Sequence, residues 1–134
     1  MARYVNINKI LSLFTIDISA LLQSPVGSIE EFQFDQEIPK DTWEDLVCES
    51  DLQMSIKLIR QEYGLECIFG QLSTSISIPS EGIKNKEIEI DGVSREFHLK
   101  KRNEDTDDIS YIDMHDGTID LSLVLEQELL IAGF

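Results

Sequence analysis

The sequence predicts an α+β domain: a curved, mainly antiparallel β-sheet, half-barrel-like, with short N-terminal helices and a C-terminal helix packed on it. Three patterns carry this prediction. Leu52, Met54, Ile56 and Leu58 alternate with polar residues, the period-two signature of a half-buried strand. Leu65, Cys67 and Phe69 resume the alternation after a turn, and Leu72, Thr74, Ile76 and Ile78 continue it one residue out of phase. Near the C-terminus, Leu121, Val124, Leu125 and Leu129 are spaced instead for one face of a helix. With 134 residues, 42% hydrophobic and 28% charged, the chain is sized and composed for a single domain over 1–134.

Taken in chain order, Ile7, Ile10, Leu11 and Phe14 have helical spacing, so residues 1–13 are expected to form a helical extension. Phe14, Ile16 and Ile18 then alternate as a strand, the first of the sheet. Ser19 can cap a short turn bearing Leu21 and Leu22, before Ser24-Pro25-Val26-Gly27 breaks the chain. Phe32 and Phe34 mark a short strand. Past Pro39, Asp41 or Thr42 can cap one or two helical turns with Trp43, Leu46 and Val47 on one face. The main strands are expected near 52–59 and 65–78, joined by a turn at Gln61-Glu62-Tyr63-Gly64. A one-residue slip would flip every side chain, so the phase change at Gly70 predicts a β-bulge at Gly70-Gln71 that bends the strand.

A second hairpin is predicted from strands at 87–90 and 93–99 around Asp91-Gly92, a dipeptide that suits a type I′ turn. Residues 100–118 read as an acidic exposed loop, within which Ile109 and Tyr111 can add a short edge strand. His115-Asp116-Gly117 turns the chain, and Asp120 is the expected cap of the closing helix, which ends at Gly133.

Charge narrows the function. The chain carries 26 acidic against 11 basic residues, a formal net charge of −15. Such a surface repels nucleic-acid phosphate and anionic lipid and favours a basic protein partner, although acidity also serves solubility alone. No stretch of about 18 apolar residues is present, so no membrane span is expected. Asn6, Asn8 and Asp17 interrupt any secretory core, and Cys48 and Cys67 stand apart without CxxC spacing. Reduced thiols in the cytoplasm are the expectation.

No catalytic pattern emerges. The chain lacks GxxxxGK[ST], GxGxxG and GxSxG, and neither His98 nor His115 stands in a metal-ligand spacing; exposed surface histidines are expected. Glu104, Asp105, Asp107, Asp108, Asp113 and Asp116 do not fit a calcium loop starting at Asp105, since Ile109 and Ser110 occupy ligand and turn positions. The chain is therefore expected to be a non-enzyme with no cofactor, no metal and no small-molecule substrate. Lys84, Lys86, Arg95, Lys100, Lys101 and Arg102 cluster around the Asp91-Gly92 hairpin, whose folding would bring Lys86 to the 100–102 end as a basic tip for limited RNA contact. Glu87, Glu89, Glu96 and Glu104 could instead neutralise that tip across the strands. Glu126, Gln127 and Glu128, off the apolar face of the closing helix, are expected to lie mostly toward solvent or a partner.

Four stretches resemble the bacterial YceD family, the large-subunit ribosomal RNA accumulation proteins. They are Phe14-Thr-Ile-Asp-Ile-Ser-Ala-Leu-Leu-Gln-Ser-Pro with Glu31-Phe32, the segment from Ser55 to Ser77, the acidic linker, and Ile119-Asp-Leu-Ser-Leu-Val-Leu-Glu-Gln-Glu-Leu-Leu-Ile. Where many family members carry Cys-x-x-Cys, this chain has Pro79-Ser80-Glu81-Gly82, and the cysteine-rich tail of many members is missing from the sequence, so no metal property is implied. The resemblance implies a non-catalytic accessory role in ribosome biogenesis, supporting large-subunit ribosomal RNA accumulation. Joined to the charge, it points to a basic ribosomal or ribosome-assembly protein as partner. The alternative is an acidic adaptor or inhibitor unrelated to ribosomes.

Overall fold

The computed structural model describes residues 2–4, 13–99 and 110–134. In chain order the elements are β1 (Ala2–Tyr4), β2 (Thr15–Asp17), α1 (Ser19–Leu22), β3 (Ile29–Gln36), β4 (Val47–Cys48), β5 (Leu52–Gln61), β6 (Gly64–Ile78), β7 (Ile83–Ile90), β8 (Val93–His98), β9 (Ser110–Tyr111), β10 (Thr118–Asp120) and α2 (Ser122–Gly133). The fold is mixed α and β, dominated by one open sheet in the order β1-β3-β5-β6-β8-β9, with β4 and β7 also paired to β6. The β1–β3 and β8–β9 pairs are parallel; every other pair is antiparallel.

β6 is the organising strand because its 15 residues reach past any single partner. The predicted bulge is present. Gln53 pairs with Ser73 and Ser55 with Gly70, so Met54 faces both Gln71 and Leu72, and Gln71 takes a φ of +51°. The extra residue lets Phe69 and Leu72 both point into the core, at 0% and 1% exposure.

The Asp91-Gly92 hairpin is not formed. Phe69 pairs with Val93 and Leu72 with Ile90, so β7 and β8 run in one register along β6 and do not pair with each other. The chain reverses earlier, through a 3-10 turn at Pro79–Glu81 closed by Gly82 at φ +68°. A type I′ turn needs positive φ at both central residues, and of this pair only Gly92 has it, at +78°. The dipeptide instead matches the kink in β6: Gln71 N–H donates to Asp91 Oδ1 at 3.1 Å and Gly92 N–H to the Phe69 carbonyl at 2.9 Å. Two adjacent strands thereby bend in step.

Three further expectations are corrected. The strand at 14–18 leaves the main sheet and pairs with β10, Ile16 opposite Ile119, both buried. No helix follows Pro39; Thr42 N–H closes a turn onto the Pro39 carbonyl, and Trp43 and Leu46 are buried from irregular chain. Helix nucleation is costly, and the indole gains more by packing between elements: Trp43 stacks on Phe14 at 5.4 Å, Phe14 on Phe34 at 5.7 Å, and Trp43 Nε1–H donates to the Ser122 carbonyl at 3.1 Å. At the N-terminus Ala2–Tyr4 is a strand, while the rest of the expected helical extension, at 5–12, lies outside the described residues.

The core fills the space between one sheet face and α2. Leu121, Val124, Leu125 and Leu129 are buried as the helical spacing predicts, but the expected cap is displaced: Leu121 is the N-cap residue of α2, and Asp120, the last residue of β10, accepts the Ser122 N–H through Oδ1 at 2.8 Å. Cys48 and Cys67 are buried free thiols, and burial pushes both up from the ordinary 9.0, Cys67 furthest. A raised folded value means stability is fully present below pH 9 and is lost as pH rises beyond it, because the unfolded thiol ionises first. Cys67 should resist a thiol reagent in native protein and react only at the rate of global unfolding; fast native labelling would contradict its placement.

Candidate functional site

The main sheet has one face under α2 and one turned outward. Cross-strand register places Glu31, Lys57, Ile68 and Ser94 in one row of the outward face, Asp35, Gln53, Ser73 and Glu89 in another, and Ser75 beside Glu87. Glu66 lies directly opposite Glu96. Among the described residues Lys57 is the single cation of these rows, and it approaches Glu31 at 3.9 Å. Like charges set opposite one another destabilise a sheet, so the Glu66–Glu96 juxtaposition comes at a cost to the fold. Ser94 Oγ–H donates to Glu66 Oε2 at 2.8 Å, which orders one carboxylate without neutralising it.

At the kink the outward face hollows into a depression of about 500 Å³ lined by Gln71, Leu72, Ser73, Glu89, Ile90 and Asp91. Adjoining hollows of about 430 and 340 Å³ extend it past Asp51 and Glu87 and past Glu31 and Ser55. The lining is rich in carboxylates and hydroxyls, so the chemistry available is acceptance of hydrogen bonds from ammonium, guanidinium or amide groups. Among the described residues no group of three or more His, Cys, Asp or Glu is placed to hold a metal ion.

The Asp91-Gly92 hairpin expected to bring Lys86 to the 100–102 end is not formed. Lys86 pairs with Ile76 and His98 with Gly64, at opposite ends of the β7–β8 run, so Lys86 and position 98 are separated by 12 residues, roughly 40 Å of extended chain. Lys100, Lys101 and Arg102 lie outside the described residues. Lys84 is exposed beside Ser77, Pro79 and Asn85. Lys86 and Arg95 turn to the other face of the sheet and hold α2.

Lys86 Nζ donates to the Gly133 carbonyl at 2.9 Å, a cation at the negative end of the helix dipole. Arg95 pairs with Glu128 at 3.0 Å and also donates to Gln127, with both ion-pair side chains only 15% exposed. Arg95 Nε is buried without an acceptor. Gln127 and Glu128 are therefore structural residues and not free partner contacts, contrary to expectation, while Glu126 is half-buried. The signal was in the pattern: Arg95 is in phase with Val93 and Phe97, and Lys86 with Ile88, so both share the core-side face of their strands. Arg95→Ala should cost about 1–3 kcal/mol, leaving Glu128 half-buried and unpaired, and Gln127→Ala about 1 kcal/mol. Urea denaturation measures both; wild-type midpoints would contradict the pinning.

His98 is also corrected. It is 4% exposed, covered where β9 joins β8, with Nε2 2.9 Å from Glu96 Oε1 and its ring 4.7 Å from that of Tyr63. Burial first, then Glu96 and Glu66, pushes the Tyr63 hydroxyl up to about 12. His115 is exposed, as expected, 4.0 Å from Asp116. No helix among the described residues is long and apolar enough to cross a membrane. Comparison with protein-family models, with curated proteins and with solved structures returns no match.

Proposed function

We propose that this chain is a non-catalytic accessory protein of ribosome biogenesis in the cytoplasm, which supports large-subunit ribosomal RNA accumulation by binding a basic ribosomal or assembly protein. The observation that supports binding is the outward sheet face, where Glu31, Asp35, Glu66, Glu87, Glu89 and Glu96 stand in or beside cross-strand rows whose one cation among the described residues is Lys57, with Lys84 at the Ser77 end. Such a face steers and orients a basic partner. The ribosomal part rests on the four YceD-like stretches, and the bulge at Gln71 supports the reading of the sheet as curved and half-barrel-like.

Using Lys86 and Arg95 to hold α2 leaves direct RNA contact to Lys84 and to residues 100–102, so protein is favoured over RNA as the main partner. The same observation supports a second reading, an acidic adaptor or inhibitor unrelated to ribosomes. Depleting the chain from its cell separates the two. Under the ribosomal reading, large-subunit ribosomal RNA falls relative to small-subunit RNA; an unchanged ratio favours the adaptor.

A further inference from the structure

β7 lies at an edge of the main sheet. Among the described residues it pairs with β6 alone, and Lys84, Asn85, Lys86 and Glu87 are exposed in unbroken succession, which a strand flanked on both edges does not show. Its first half is guarded as edge strands commonly are: Ser77 faces both Lys84 and Asn85, and Asn85 takes a φ of +47° in the resulting bulge. From Lys86 to Ile90 the register with β6 is unbroken. The direction of the backbone groups along that stretch follows from β6. Ser75 turns both of its groups toward β4, since its carbonyl accepts the Glu49 N–H at 2.7 Å and its N–H donates to Ser50 Oγ at 2.8 Å. Directly opposed residues of an antiparallel pair exchange both bonds or neither. Glu87, opposite Ser75, therefore turns its N–H and carbonyl away from β6, and Glu89, two residues on, does the same. Both residues are exposed, and neither carboxylate meets a cation among the described residues.

We propose that this open edge of β7 takes up an extended, basic segment of a partner protein as an added antiparallel strand. The segment exchanges backbone hydrogen bonds with Glu87 and Glu89 and sets lysine or arginine opposite each carboxylate. Between the two basic residues it places an apolar one beside Ile88, which is 3% exposed and points to the core side. Charge selects the occupant. In a pair of identical chains, two-fold symmetry sets the central residue of the ladder against its own copy. A ladder centred on residue 87, 88 or 89 then puts Glu87 on Glu87, Glu87 on Glu89 or Glu89 on Glu89, and one centred on residue 86 puts Lys86 on Lys86. Like charges directly opposite disfavour all four, whereas a basic segment satisfies both the backbone groups and the glutamates that carry them. The inference rests on the reading of a basic protein partner and adds how that partner is held.

The probe is a fluorescein-labelled peptide of alternating lysine and valine, titrated with the full chain and read by anisotropy at physiological salt. Two N-methylated forms test strand pairing: methyl groups on the lysine nitrogens remove the donors that would reach β7, whereas methyl groups on the valine nitrogens lie on the far edge. The valine-methylated peptide should bind within about threefold of the parent, and the lysine-methylated peptide about tenfold or more weakly. A glutamate/valine peptide should also bind at least about tenfold more weakly than the parent. On the protein side, Glu89→Pro removes the outward N–H without touching the ladder to β6, so the melting temperature should stay near wild type. It should weaken the lysine/valine peptide about fivefold more than Glu89→Gln, which loses the same charge and keeps the N–H. Equal binding of the two methylated peptides overturns the added strand and leaves a basic partner held on the sheet face by charge, an outcome that separates this inference from the reading beneath it. No binding of the lysine/valine peptide overturns it, as does an unfolded Glu89→Pro, which would place that N–H inside the ladder. Sedimentation equilibrium that finds a dimer dissolved by Glu89→Pro would assign the edge to a second copy instead.

Discussion

Gly64→Ala should leave little folded protein, with a loss of at least about 3 kcal/mol. Gly64 follows the turn between β5 and β6 at a φ of +147°, where a side chain is strained whatever the space around it. Space is lacking too: an added Cβ would stand 2.1 Å from the Phe97 carbonyl oxygen and 3.2 Å from His98 Cα. Both belong to β8, which pairs with β6 at this point, so relief means opening the Gly64–His98 pair and exposing Leu65 and Phe97. Gly27→Ala is the matched comparison, since its φ of +95° is also strained but nothing lies within 4 Å of the added atom. It should cost about 1 kcal/mol. Urea melts of the two variants measure the difference, and equal midpoints would show that β8 does not lie where it is placed.

Leu125→Ala should lower stability by about 2–5 kcal/mol and the melting temperature by roughly 10 °C. Leu125 is 0% exposed between α2 and the sheet, and the fit above it is tight: a Cβ on Gly133, two turns along, would meet Ile78 at 2.8 Å and Ile76 at 2.9 Å. A helix held this close cannot sink to fill the vacated volume. Leu123→Ala, on the exposed side, should fall within about 0.5 kcal/mol of wild type. Thermal denaturation of both decides which side of α2 is core; a harmless Leu125→Ala beside a damaging Leu123→Ala would reverse the helix.

Where one face of an element is buried against a regular neighbour, the sequence was legible. Burial imposes period two or the helical period on every residue, which is why β5, β6, the Gln71 bulge and the buried leucines of α2 could all be read. What misled was local chemistry whose outcome tertiary pairing decides. Asp91-Gly92 suits a turn and equally suits a strand that must bend beside a bulge, and only the register with β6 separates the two. Thr118–Asp120 is too short to show a period; its pairing with Thr15–Asp17 lies about a hundred residues away in sequence. The candidate site divides the same way. Acidity was visible in composition, but its concentration on one sheet face needs the cross-strand rows, and the basic residues were grouped by nearness in sequence when their strand phase placed Lys86 and Arg95 under α2.

Under the proposed function, the outward sheet face engages a basic partner on the path of large-subunit assembly. The most direct measurement follows the chain through a sucrose gradient of cell extract, comparing wild type with Asp35→Asn/Glu66→Gln/Glu87→Gln/Glu89→Gln, which leaves the Glu96–His98 contact in place. These side chains stand on the outward face, and removing the Glu66–Glu96 repulsion should leave the variant at least as stable as wild type. Wild type should travel with large-subunit precursors and dissociate as salt is raised, while the variant should remain in the free-protein fractions. Wild type confined to the free fractions, or a variant that travels with the precursors as fully as wild type does, would contradict the claim.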